Sequence, residues 1–325
     1  MKQPPGFEQR RKEQRVCRLN KAIYGLKQSG RIWFETLTNY LIKMNFKHLE
    51  IRQEENFVSM NQTRYIDTIL EHFGMKDSNP SSVLLDPNQE LDKFDSSEKC
   101  DQKRYQELLG SLMYLGTKTR PDIAFQLSTL SRYSKDPRQI HMGALKRILR
   151  YLKGTKHFSL EYKKDIPELR AYSDANRKER STAEVKTTAG ISYLLGNNLI
   201  SWVSRSQEKV SLSTCDSEVN ALTECVKKCI YIQYLCEELF NILGPRNFKA
   251  KIFCDNRSAI FLAQNGHVSN RSNHLVRKVA FLHECFIDGT FELHHVRSDE
   301  NLADFLTKGI GRIKLTRILT TLGLR

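Results

Sequence analysis

Four carboxylates in this sequence stand where a cation site would want them. Asp174 ends a predicted strand, and Glu218 lies in the first turns of a long predicted helix. Asp255 ends another strand just before a helix, and Asp304 opens the last short helix. They are far apart in the chain, so only a folded sheet could bring them together. Strand ends and helix starts are where α/β folds gather their sites. Mg²⁺ is hard and prefers oxygen ligands, so carboxylates plus water suit it. Two such ions about 3.5–4 Å apart can activate a water and stabilise the leaving oxygen of a phosphodiester. Spacing alone does not decide for that chemistry. The chain has 37 acidic residues, and some must fall at element ends by chance. An Asp at a helix N-terminus is also a common cap without a catalytic role.

Histidines add proton-transfer candidates. His294 and His295 stand on the last predicted strand, and His274 precedes it. A histidine near a scissile phosphate can move protons. A surface or core histidine is the commoner case.

The elements that must position these residues follow from periodicity. Asn56 to Met60 predicts a short strand, and Thr63 to Phe73 a helix with Tyr65, Ile66, Ile69, Leu70 and Phe73 on one side. An earlier helix is predicted from about Ser29 to Met44. Residues 77 to 100, with Pro80 and Pro87, read as a long loop. Helices follow near 101–117, 121–134 and 138–153, the last stopping at Gly154. From Phe158 strands and helices alternate. Strands are predicted at Leu169–Ser173, Ala189–Leu195, Leu199–Val203, Lys251–Cys254 and 290–296. A helix capped by Ser213 or Thr214 runs to about Leu243, with further helices after Asp255 and near 274–287 and 300–307. This pattern predicts an α/β domain with a mixed sheet.

Composition narrows the partners. Lys and Arg number 52 against 37 Asp and Glu, a net charge of +15 over 325 residues. A surface this basic attracts polyanions, nucleic acid being the usual one, although charge alone leaves that reading even with a merely basic protein. No apolar run reaches the roughly 18 residues that span a bilayer, and Met1 to Pro5 lacks an apolar signal core. The expectation is a protein of the cytoplasm or nucleus, neither secreted nor in a membrane. None of the eight cysteines forms a CxxC pair or a zinc spacing. Cys225, Cys229 and Cys236 fall at helical spacing and read as small core residues.

Local words carry a family resemblance. Tyr172-Ser173-Asp174-Ala175, Ile200-Ser201-Trp202, Ser211 to Glu218, Phe253-Cys254-Asp255-Asn256-Arg257-Ser258-Ala259-Ile260 and Leu302-Ala303-Asp304-Phe305-Leu306-Thr307-Lys308 resemble, in order, segments of the ribonuclease H of copia-type LTR retrotransposons. That match covers residues 166 to about 312. Met1 to Phe7, Ala22 to Gln28, Gly110 to Leu115, Thr119 to Ile123 and His141 to Thr155 resemble the reverse transcriptase of the same family. The resemblance implies that Asp174, Glu218, Asp255 and Asp304 are the catalytic metal ligands, for two Mg²⁺ ions with Mn²⁺ as a substitute. Glu218 matches better than Asp216, which is left as a spectator or cap. His295 is carried as an additional catalytic candidate. The implied fold class is α/β: a ribonuclease H-like mixed sheet with flanking helices, preceded by a mostly helical, truncated reverse-transcriptase remnant.

The polymerase pattern is broken. A family polymerase needs an Asp on an early strand and an adjacent Asp-Asp pair, and this sequence has no Asp-Asp dipeptide and begins after the early Asp. The stretch that would carry the pair is missing at Glu50-Ile51. DNA synthesis is therefore expected to be lost, with poor folding before residue 100. Tyr24, Lys27 and Gln28 would then have no metal centre to serve. Asn176 stands where the family often has a second Asp, and Arg177, Lys178, Arg180 and Lys186 either face phosphates or form a solvated loop. The expected segments are a reverse-transcriptase fragment at 1–50, a palm-end, thumb and connection remnant at 51–157, the ribonuclease H domain at 158–312 and a tail at 313–325. Three readings stay open: a nuclease that cuts RNA in an RNA–DNA hybrid, a non-catalytic nucleic-acid-binding remnant, and a fossil without function.

Overall fold

The computed structural model describes residues 49–84, 91, 98–164, 168–177, 187–207, 213–240, 249–268 and 270–325. The expected helix at Ser29–Met44, the basic start, Tyr24, Lys27 and Gln28 lie outside the described residues, as do positions 178–186. Leu49–Arg325 forms one compact unit.

The unit opens with β1 (Glu50–Gln53) and β2 (Phe57–Asn61), an antiparallel pair that β3 (Leu160–Lys163) extends on the far side of β2. Glu50-Ile51, the expected junction, lies inside β1, and Ile51 is largely exposed there. Between β2 and β3 run α1 (Thr63–His72), α2 (Gln102–Lys118), a 3-10 turn (Pro121–Ile123), α3 (Ala124–Ser131) and α4 (Gln139–Gly154). The side chain of Asp101 caps α2 by accepting from the Arg104 N–H at 3.1 Å. Tyr105, Leu108, Leu112 and Leu115 recur every three or four residues along α2 and meet Ile66, Ile69 and Leu70 of α1 and Leu145, Ile148 and Leu149 of α4 in one buried cluster.

Two sequence words of this helical part meet as a buried ion pair. Arg120 donates from Nε to Asp122 Oδ1 at 3.0 Å and from NH2 to Asp122 Oδ2 at 2.6 Å. It also donates to the Thr155 carbonyl at 3.0 Å, while the Tyr151 hydroxyl donates to Asp122 Oδ2 at 2.8 Å. The pair is closed from water and fully hydrogen-bonded, the condition under which two buried charges persist.

The second sheet has five strands in the order β6-β5-β4-β7-β8, comprising β4 (Leu169–Arg177), β5 (Thr187–Leu195), β6 (Asn198–Ser206), β7 (Ala250–Cys254) and β8 (Phe291–His295). β4, β5 and β6 are antiparallel neighbours, whereas β4–β7 and β7–β8 are parallel. Parallel neighbours need crossover helices. These are α5 (Thr214–Phe240), α6 (Arg257–Asn265) and, after a 3-10 turn at Asn270–Leu275, α7 (Val276–Ile287). The mixed sheet with flanking helices, and the mostly helical segment before it, are the expected fold class.

Alternation along β4 divides its side chains between two cores. Leu169 and Ala171 join Val219, Leu222, Cys225 and Val226 of α5 under one face. Tyr172 joins Phe305, Leu306 and residues of the last helix, α8 (Arg312–Thr321), under the other. Cys225, Cys229 and Cys236 are buried core residues of α5, as their spacing predicts. The Trp202 indole N–H donates to the Gly116 carbonyl at 2.7 Å, joining β6 to α2.

Candidate functional site

Asp174 sits in β4 opposite Gly190 of β5. A methyl group on Gly190 would lie 2.5 Å from Thr307 Cγ2, 2.9 Å from Leu306 Cβ and 3.0 Å from the Ala303 carbonyl oxygen. Glycine here lets the 3-10 turn Asp304–Leu306 lie directly on the sheet. Asn301 fastens that turn by donating to the Ser173 carbonyl at 3.0 Å and accepting from the Ala303 N–H at 3.0 Å. The Ser204 hydroxyl donates to the Leu306 carbonyl at 2.6 Å. The result places the Thr307 hydroxyl as a donor to Asp174 Oδ2 and sets Asp304 in the electrostatic field of Asp174.

Glu218 arrives from the second turn of α5. Ser213 and Asp216 fix that helix start reciprocally: Ser213 Oγ accepts from the Asp216 N–H at 3.1 Å, and the Asp216 carboxylate accepts from Ser213 N and Oγ at 3.1 and 2.8 Å. Asp216 is thus a cap, and it holds His274 Nε2 at 2.9 Å. Glu218 points instead toward β4, where it accepts from the Ala175 backbone N–H. Its Oε2 is buried without a hydrogen-bond partner among the described residues. Asp255 follows β7 and accepts from the Ser298 hydroxyl at 2.6 Å. Ligand atoms of Glu218, Cys254 and Asp255 lie within 4.8 Å of one another.

The electrostatics tie all four acids together. Asp174 and Glu218 are 4% and 6% exposed. Burial raises the Asp174 pKa to about 6, with the charges of Asp304 and Asp255 adding to the rise and Thr307 and Lys308 opposing it. Burial, then the charges of Asp174 and Asp255, push Glu218 well above the usual carboxylate range. Asp304 is closed from solvent but paired twice, with Lys308 Nζ at 2.7 Å and with the Lys314 ammonium of α8. Burial works against the Lys308 charge, yet its bond to Asp304 and the fields of Asp174, Asp304 and Asp255 hold its pKa above the ordinary lysine value. Carboxylates buried near one another, with a Glu218 oxygen unsatisfied, make a donor set that a hard divalent cation fits.

His295 is exposed on β8, in register with Cys254 of β7. His294 is exposed, 3.2 Å from Glu292, and stacks on Phe253. Asn176 donates to the Thr307 carbonyl at 3.4 Å, a support for the turn that carries Asp304. Sequence reasoning missed Cys254, Lys308 and Lys314 as neighbours of the acids. The first two lie inside quoted words, so that signal was present. Lys314 had none.

The family described as "Reverse transcriptase (RNA-dependent DNA polymerase)" matches residues 1–52. The chain is similar to the retrovirus-related Pol polyprotein from transposon RE1 of Arabidopsis thaliana, at 28% identity over 385 residues, covering 99% of this chain and 26% of that protein. It is also similar to the Pol polyprotein from transposon TNT 1-94 of Nicotiana tabacum, at 28% identity, covering 97% of this chain and 28% of the relative. The chain therefore spans little more than a quarter of the length of these curated relatives. The alignment to the first runs over 385 residues, more than the 325 of this chain, so the relative carries internal residues that this chain lacks. Among solved structures, LC11-RNase H1 isolated from compost is similar at 13% identity with a TM-score of 0.34, covering 47% of this chain and 99% of that one. No helix among the described residues is long and apolar enough to cross a membrane.

Proposed function

We propose that the chain is a piece of a copia-type retrotransposon Pol polyprotein, to which it is similar along 97–99% of its length, and that its 158–312 segment is a ribonuclease H that cuts the RNA strand of an RNA–DNA hybrid. The observation that carries this reading is the convergence of Asp174, Glu218, Asp255 and Asp304 on one sheet end, with a Glu218 oxygen buried and unsatisfied.

Asp174 and Asp255, delivered by adjacent parallel strands, together with Glu218 and Asp304 would hold two Mg²⁺ or Mn²⁺ ions. Bound divalent cations would supply Lewis-acid stabilisation to the attacking and leaving oxygens of a phosphodiester. Thr307 and Ser298 orient the carboxylates of Asp174 and Asp255 by donating to one oxygen of each, leaving the other oxygen for a ligand. Lys308 offsets part of the cluster's negative charge. His295, exposed on the neighbouring strand, is within the same sheet end for a proton-moving role. Selection of RNA over DNA would come from contacts to the 2′-hydroxyl.

DNA synthesis is not part of the proposal, because no Asp-Asp pair exists in the sequence to hold the polymerase cations. A second reading has its own observation. Lys308 and Lys314 already neutralise Asp304, which favours a basic remnant that binds nucleic acid without cutting it. A hybrid-cleavage assay with Mg²⁺ separates the two. Cation-dependent cutting that disappears in Asp255→Asn supports the nuclease. Salt-sensitive binding without cutting supports the remnant, and equal cutting by the variant removes the assigned site.

A further inference from the structure

Cys254 lies inside the candidate centre, and none of the roles above uses it. It ends β7 one residue before Asp255, is closed from solvent, and accepts from the Asn256 N–H at 3.4 Å through its Sγ. That sulfur, a Glu218 oxygen and an Asp255 oxygen are mutually within 4.8 Å. Glu218, more than nine-tenths buried, also carries an Oε2 without a hydrogen-bond partner among the described residues. We propose that Glu218, Cys254 and Asp255 form a site for a thiophilic divalent cation of the Zn²⁺ or Cd²⁺ class, overlapping the place of the hard cation. This rests on reading Glu218 and Asp255 as cation ligands, but it adds a donor and a metal class of its own.

The donor chemistry supports the assignment. Hard ions take oxygen and leave sulfur aside, whereas borderline and soft ions bind thiolate in preference. One sulfur at about 2.3 Å, two carboxylate oxygens at about 2.0–2.2 Å and a water would complete the four-coordinate geometry that Zn²⁺ adopts. Coordination transfers the thiol proton to solvent and leaves a neutral three-ligand complex only if one carboxylate is also protonated, so the bound form carries a net negative charge that Lys308 faces. Asp174 and Asp304 remain outside the trio. A soft ion seated on it therefore takes two of the four acids away from the paired hard-cation arrangement and blocks it.

The test titrates Cd²⁺ and Co²⁺ into the full chain and reads thiolate-to-metal charge-transfer absorption in the near ultraviolet, with Mn²⁺ binding measured in parallel. The expected result is a saturable band in the parent protein and in Cys236→Ser, whose cysteine is on the distant part of α5. Cys254→Ser should lose the band and weaken Cd²⁺ binding by about tenfold or more. Should that variant fail to fold, Glu218→Gln and Asp255→Asn serve in its place, each weakening Cd²⁺ binding in a chain that keeps Cys254. No band in the parent, or a band that survives Cys254→Ser or is untouched by both carboxylate variants, overturns the proposal. Mn²⁺ binding without the band removes the soft site and leaves the hard-cation reading standing, whereas absence of both removes the two together.

Discussion

Asp174 holds its proton to about pH 6, two units above an ordinary aspartate, because it is buried beside Asp304 and Asp255. The sign of the consequence follows from linkage. Between about pH 4 and pH 6 the folded chain keeps a proton that the unfolded chain has lost, so this contribution to stability is present at low pH and disappears as pH rises through 6. Without cation, Asp174→Asn should therefore stabilise the chain at pH 7, by roughly 1–3 kcal/mol. It should also flatten that part of the pH profile and remove stabilisation by Mg²⁺. Urea unfolding at pH 5 and 7, with and without the ion, checks all three, and a destabilised variant at pH 7 without cation would contradict the account. The four acids were legible as residue types at element ends, together with the words around them. Their partners were not. Lys314 reaches Asp304 only because α8 folds back over the turn, and no local periodicity encodes that return. Cys254 was visible beside Asp255, but its nearness to Glu218 depends on how α5 lies across β7.

Elements carry the next set of consequences. The turn that delivers Asp304 rests on Gly190 with no room for another atom. Gly190→Ala should force Leu306 and Thr307 away, cost about 1–3 kcal/mol as overpacked cores do, and weaken cation binding because Thr307 no longer orients Asp174. Melting and Mn²⁺ titration of the same sample would show both losses, and a variant that melts lower with unchanged affinity would separate the turn from the site. In the helical part, the words at Thr119–Ile123 and Arg150–Thr155 are explained by the buried Arg120–Asp122 pair. Asp122→Ala should cost about 3–5 kcal/mol by stranding Arg120 without its counter-charge, measurable by denaturant unfolding. Helix positions and strand runs were readable from period alone, since leucines every three or four residues and alternation along β4 each specify a face. The pairing of β3 with β2 was not, because a four-residue strand carries no sign of which distant edge it will join.

At the scale of the whole molecule, a chain with charge +15 buries several acids near one another and pairs one of them, Asp304, with Lys308 and Lys314. The RE1 relative carries residues that this chain lacks, and Glu50 and Ile51 lie in β1, an edge strand on which Ile51 is exposed. The five-stranded sheet, its three crossover helices and the 3-10 turn are what the acids need, and all are present. The central claim is that these acids act as one divalent-cation site. Calorimetric titration of Mn²⁺ at neutral pH into the parent chain and into Glu218→Gln tests it most directly. The account predicts saturable binding that weakens by about tenfold or more in the variant, as removal of a ligand should. Equal heats and equal affinity in the two proteins, or no binding to the parent, would contradict it.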